Sequence, residues 1–154
     1  MDRVSVRNTT RDRGKICDEL LRALPLWFGI ESAIQRYVSD VEAMTTFVAY
    51  VDDRSIGLAS LNHNNEYTAE LHVIAVHPEF HRKGIGRLLV DTVVSHLKQL
   101  NYEFLSVKTL SPSRPNKEYE QTRKFYAAMG FRPVEEFKTL WGDAHPCLLM
   151  IKAL

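Results

Sequence analysis

Two spacings of apolar residues alternate along the chain. Met1–Asn8 alternates apolar and polar positions and predicts a short first strand. RGKICDELLRAL, residues 13–24, has an apolar stripe at helical spacing, with Thr9, Thr10 and Asp12 as candidate N-caps and Pro25 as the stop. PLWFGI follows as an aromatic linker. ESAIQRYVSDVEA, residues 31–43, predicts a second helix with Ile34, Tyr37, Val38 and Val41 on one face. Residues 45–64 read as a hairpin about the turn Asp52-Asp53. EYTAELHVIAVHP, residues 66–78, is apolar nearly throughout, which predicts a central strand. From Gly84 to Leu100, the residues Ile85, Leu88, Leu89, Val93, Leu97 and Leu100 recur at helical spacing. YEFLSVKTL is a further strand, SPSRPN a break, and KEYEQTRKFYAAMG a helix closed by Gly130. FRPVEEFKTLW and PCLLMIKAL predict a terminal strand pair about GDAH. The order β-α-α-β-β-β-α-β-α-β-β predicts a mixed α/β sheet with helices on its faces. No repeat or linker divides it, so residues 1–154 are expected to form a single domain.

Charge narrows the partners. Twenty Lys and Arg stand against 19 Asp and Glu, a formal net charge of +1. No general field draws the chain to nucleic acid or to a membrane surface, so any anion site must be local. No apolar run approaches the length of a membrane span, and MDRVSVRNTTRDRGK lacks the apolar core of a signal peptide. A cytoplasmic location is the expectation. Cys17 and Cys147 show no metal-ligand spacing and no CxxC, and suit a free, buried pair in a reducing compartment. No metal site is expected.

One stretch breaks the pattern of an ordinary turn. VHPEFHRKGIGRLLV, residues 76–90, runs from a strand end through a basic triplet and two glycines into a helix. The first turn of a helix presents backbone N–H groups without partners and the positive end of the dipole. Arg82, Lys83 and Arg87 add positive charge at that same end, which is unfavourable unless an anion sits there. The placement predicts a di- or triphosphate-like group. The competing reading is a solvated basic turn with a glycine cap. There is no GK[ST], so this is not a Walker loop. GIGRLL lacks the third glycine of the dinucleotide fingerprint.

The stretch resembles the coenzyme A pyrophosphate loop of the GNAT family of N-acetyltransferases, whose pattern is Gln/Arg-x-x-Gly-x-Gly/Ala. Here it falls on His81, Arg82, Lys83, Gly84, Ile85 and Gly86, with His in the first place. TRKFYAAMGF, residues 122–131, resembles the family's Ala-x-x-Phe-Tyr-x-x-x-Gly-Phe helix, with Thr122 for the alanine. The resemblance implies a GNAT-like fold, a mostly antiparallel sheet splayed at the fourth strand. It implies acetyl-CoA as donor. The backbones of Ile74, Ala75 and Val76 would pair with the pantetheine arm, and the loop from His81 to Arg87 would bind the pyrophosphate. Tyr126 stands at the family's tyrosine position, where it would protonate the leaving thiolate. A carboxylate base falls on Glu70. Many members carry an Asn where this chain has Tyr119.

The implied reaction is attack of an amine on a thioester. An alkylamine titrates near the ~10.4 of lysine, so a base must assist at neutral pH. Strand alternation puts Glu70, His72, Ile74 and Val76 on one face, which makes His72 a possible relay partner for Glu70. Trp27, Phe28 and Trp141 are candidates, with His72, for the wall of an acceptor pocket. No acidic trough marks a polycationic acceptor, which favours a small-molecule amine over a protein or peptide N-terminus. The chain is expected to act as a monomer or homodimer. A non-catalytic acyl-CoA-binding module is the alternative of a different class. A nucleotide-binding protein is a third.

Overall fold

The computed structural model describes residues 3–154. Met1 and Asp2, at the start of the first expected strand, lie outside them. Seven strands form one sheet: β1 (Val4–Asn8), β2 (Thr45–Val51), β3 (Arg54–His63), β4 (Thr68–Val76), β5 (Phe104–Leu110), β6 (Arg132–Phe137) and β7 (Cys147–Ala153). Four helices flank it: α1 (Arg13–Arg22), α2 (Glu31–Val41), α3 (Ile85–Gln99) and α4 (Lys117–Ala128). The hydrogen-bonded strand order is β1-β2-β3-β4-β5-β7-β6. β1–β2, β2–β3, β5–β7 and β6–β7 are antiparallel, and β4–β5 is parallel. The predicted element order and the mixed α/β class are those of the structure. One short 3-10 turn, Pro78–Phe80, is added between β4 and α3.

The chain forms two compact units, which share β4. The first holds residues 1–62 and 72–96. In it, Cys17, Leu20, Leu21 and Leu24 line one face of α1 and are all buried, as their i, i+3, i+4, i+7 spacing requires. They join Ile34 and Val41 of α2, Val48, Leu58, Val73 and Ala75 in one core. The hairpin turns at Asp52-Asp53 with Val51 opposite Arg54, and Asp52 takes φ 53°.

The start of α1 departs from expectation. Asp12 occupies the N-cap position, but its side chain makes no capping bond. The cap comes from the end of α2: Glu42 Oε1 accepts from the Gly14 amide at 2.7 Å. Arg13 returns the contact by donating to the carbonyls of Met44 (2.7 Å) and Glu42 (2.6 Å). Asp12 is held in the left-handed region at φ 59° by this arrangement, away from the extended conformation of an ordinary cap.

The second unit holds residues 63–71 and 97–154. Its parallel register runs from Thr68↔Phe104 to Leu71↔Val107 and ends there. β5 continues its pairing with β7 through Leu110↔Cys147. Asn116 caps α4, its Oδ1 accepting from the Tyr119 amide at 3.0 Å, and Glu118 and Glu120 follow in the first turn. That start is complementary to the helix dipole. Ser111 and Ser113 both donate to Glu136 Oε2, which ties the proline-rich break to β6. These hydroxyls hold the Glu136 carboxyl below its usual range, the Ser111 bond contributing most.

Candidate functional site

In the first unit, β4 ends at Val76 and the chain turns towards α3. The His77 amide donates to the Ile56 carbonyl on β3 at 2.8 Å. A Cβ added at Gly57 would lie 3.2 Å from the Ala75 carbonyl oxygen. The backbone of Ala75, like that of His77, is therefore directed at β3. Backbone groups alternate sides along a strand, so those of Ile74 and Val76 point the other way. Ile74 and Val76 thus direct their backbone groups away from β3, and Ala75 directs its own towards it.

His77 Nδ1 accepts from the Glu79 amide at 3.2 Å and opens the 3-10 turn. Arg82 (φ 61°) and Gly84 (φ 79°) then take left-handed conformations in close succession. Such a sequence turns successive N–H groups towards one side of the loop. The Leu88 amide bonds the Gly84 carbonyl at 3.0 Å, so the helix proper starts at Ile85. The amides of Ile85, Gly86 and Arg87 have no intrahelical acceptor. The Ile85 side chain is buried, which fixes the helix start in the core while its amide stays at the loop. The first turn of α3 contains no acidic residue. Arg82, Lys83 and Arg87 are exposed, and among the described residues none of them is in an ion pair. The contrast with α4, capped by Asn116 and acidic at its start, is chemical. One helix start is complete in itself; the other gathers positive charge with nothing negative to meet it.

His81, in the first place of the pattern, has two contacts. Its Nε2 donates to the Val76 carbonyl at 2.7 Å, and its ring meets the edge of Trp27 with centroids 5.8 Å apart. The imidazole braces the end of β4 against the loop. Trp27 belongs to the segment after α1, whose amides at Trp27 and Phe28 both return to the Leu24 carbonyl. Phe28 meets Tyr37 edge-on at 5.9 Å, and Tyr37 meets His72 at 5.3 Å. His72 Nε2 lies 3.0 Å from Asp40 Oδ2. The structure thus brings Trp27, Phe28 and His72 into one aromatic surface of the first unit, with Tyr37 and Asp40 added. Nothing in the sequence marked Asp40, because its partner stands 32 residues away.

In the second unit, Glu70 lies opposite Ser106 in the parallel register and is 8% exposed. Its Oε2 accepts from Lys108 Nζ at 2.7 Å. The base expected at this position is held in an ion pair. Tyr126 is 5% exposed on α4, with Phe125 and Phe131 rings at 5.6 and 5.5 Å. Asn116, the nearest amide to the missing family asparagine, is engaged as the α4 cap. Trp141 is 41% exposed in the segment between β6 and β7.

Both cysteines are free and buried. Burial pushes the Cys17 thiol up to about 12 and the Cys147 thiol up to about 11. Neither is a nucleophile near neutral pH. No group of His, Cys, Asp and Glu among the described residues could hold a metal ion. No helix among them is long and apolar enough to cross a membrane.

Solved structures share this architecture. A GNAT-family protein from Desulfovibrio desulfuricans superposes with a TM-score of 0.82 at 20% identity, covering 98% of this chain and 99% of its own. A GNAT acetyltransferase from Elizabethkingia anophelis, solved with acetyl-CoA bound, gives 0.77 at 22% identity with full coverage of both chains, 100% each. The PaiA N-acetyltransferase of Thermoplasma acidophilum, solved with coenzyme A, gives 0.77 at 15% identity over 99% of each chain. At these identities the likeness is one of fold. The sequence carries the rest: the model of the acetyltransferase (GNAT) family matches residues 15–131, from α1 through the glycine loop to Phe131 after α4, and the chain belongs to that family.

Proposed function

We propose that this chain transfers the acetyl group of acetyl-CoA to a primary amine, with residues 1–154 acting as one N-acetyltransferase domain. The observation that carries the reading is the loop from His81 to Arg87. It combines two left-handed residues, three helix-start amides and three cations that form no ion pair among the described residues, Lys83 lying over the Phe80 ring. A pyrophosphate supplies the negative charge that this arrangement lacks. The acetyl-CoA and coenzyme A held by two structural neighbours support the same donor.

The backbones of Ile74 and Val76 receive the pantetheine amides, and the Ile74 N–H serves as the oxyanion donor. That role needs only a correctly directed amide, which strand alternation provides. The Val76 carbonyl already accepts from His81 and keeps a second lone pair for the ligand. The amine nitrogen attacks the thioester carbonyl carbon; the C–N bond forms and the C–S bond breaks. Tyr126 gives its phenolic proton to the departing sulfur and regains one from the attacking nitrogen. A base on the strand face carrying Glu70 and His72 removes the first proton from the incoming ammonium.

Trp27 and Phe28 exclude water from the acceptor. Their apolar surface favours a small-molecule amine, and a protein N-terminus is the second reading. The protein acts in the cytoplasm, in keeping with two free thiols. A thiol-release assay with acetyl-CoA and a panel of primary amines and free-N-terminus peptides tests the proposal. Turnover with at least one acceptor is expected. Tight coenzyme A binding with no turnover across the panel would instead make the chain a binding module.

A further inference from the structure

We infer that His72 is the general base and that Asp40 is its positioning residue. The inference rests on the acetyltransferase reading above and deepens it. Three observations carry it. First, Glu70 is buried and its carboxylate is engaged by Lys108 at 2.7 Å. That contact commits the Oε2 oxygen to a neighbouring ammonium. Second, His72 stands on β4 two residues after Glu70 and two before Ile74, on the same face by strand alternation, and is only partly buried. Third, Asp40 Oδ2 is 3.0 Å from His72 Nε2, and the Tyr37 ring abuts the imidazole with centroids 5.3 Å apart.

A carboxylate at Nε2 selects the neutral tautomer that carries its proton there. Nδ1 is then the basic nitrogen, and among the described residues it has no hydrogen-bond partner. Acceptors arrive as ammonium ions. His72 Nδ1 takes one proton from that nitrogen, and the neutral amine attacks the thioester carbon. The imidazolium formed is stabilised by Asp40 and releases its proton to solvent. The nitrogen's second proton is the one that restores Tyr126. The titratable groups around His72 are Asp40 and Tyr37 on α2, Cys17 on α1 next to Asp40, and on its own strand Glu70, already paired with Lys108.

The test has an arm without substrate and an arm with it. Imidazole nitrogen NMR of the free protein should find neutral His72 protonated at Nε2, and Asp40→Asn should erase that preference. In the second arm, kcat/KM is measured from pH 6 to 9.5 with the fastest amine of the panel. His72→Gln should lower it ~10²–10⁴-fold at neutral pH. The loss should shrink as pH rises towards the pKa of the amine itself, since a neutral amine needs no base. Asp40→Asn should lower kcat at neutral pH together with the loss of the Nε2-protonated tautomer, which a merely structural residue would not do. Coenzyme A affinity, measured by calorimetry, should stay unchanged in both variants. The inference is overturned if His72 is protonated at Nδ1, or if His72→Gln retains the wild-type profile while coenzyme A still binds. A wild-type protein that binds coenzyme A and acetylates nothing would strike at the acetyltransferase reading instead, and a loss of coenzyme A affinity in loop variants alone would leave the dyad standing.

Discussion

Gly84 allows the anion-binding reading to be separated into strain and charge. It has φ 79°, and a Cβ placed on it meets no atom within 4 Å. A larger side chain therefore clashes with nothing in the folded protein, and its only intrinsic penalty is the left-handed backbone. For an L-residue that is roughly 1–2 kcal/mol, or about 2–8 °C in Tm for a chain of this size. Gly84→Gln and Gly84→Glu should both lose stability, Glu slightly less because the basic loop and the helix dipole favour a carboxylate. They should differ in coenzyme A binding. A carboxylate about 6 Å from one phosphate charge, at an effective dielectric near ~20, opposes binding by about 3 kcal/mol. Calorimetric titration with coenzyme A at low ionic strength should then find Glu binding about a hundredfold more weakly than Gln. Added salt should narrow the gap. Equal affinities for the two variants, with similar melting temperatures, would refute the placement of phosphate at this loop. A Glu variant that melts far below the Gln variant would refute the claim that the position is sterically open.

Other outcomes follow from the same structure. Tyr126→Phe keeps a buried ring against Phe131 and removes only the hydroxyl; kcat should fall ~10-fold or more with coenzyme A affinity unchanged, as steady-state kinetics and calorimetry can measure. Lys108→Met leaves the Glu70 carboxylate buried and unpaired, and should lower unfolding free energy by ~2 kcal/mol, the low end for a broken pair because Lys108 is about a third exposed. Glu70→Gln should cost less, which denaturant titration would show. The two thiols should resist a disulfide reagent until the protein unfolds. Their folded pKa values, about 12 and about 11, lie above the ordinary thiol value of 9.0. Above that value the unfolded chain binds fewer protons than the native one, so stability should fall as pH rises from about 9 towards 11–12. A flat denaturation midpoint across that window would contradict the burial of Cys17 and Cys147.

Local rules reached far along this chain. Period-2 and period-3.6 spacings fixed the order of seven strands and four helices, since each reports only which side of an element meets a core. The glycine loop was legible for a related reason: Arg82, Lys83, Gly84 and Arg87 are neighbours in sequence, and their conflict with a helix dipole needs no tertiary contact to recognise. The family's tyrosine helix is contiguous too. Side-chain partnerships were decided by the tertiary structure. Glu70 meets Lys108 across 38 residues because β4 and β5 run parallel in one register. His72 meets Asp40 because α2 packs against the same strand, and Glu42 replaces Asp12 as the cap of α1 by the same docking. His81 meets the Val76 carbonyl because the 3-10 turn folds the loop back on the strand end. The backbone of Ala75 is directed at β3 because that strand lies on its side. Chemistry carried by a contiguous stretch can be read in one dimension. Chemistry that depends on which charge neutralises which awaits the register of strands and the docking of helices.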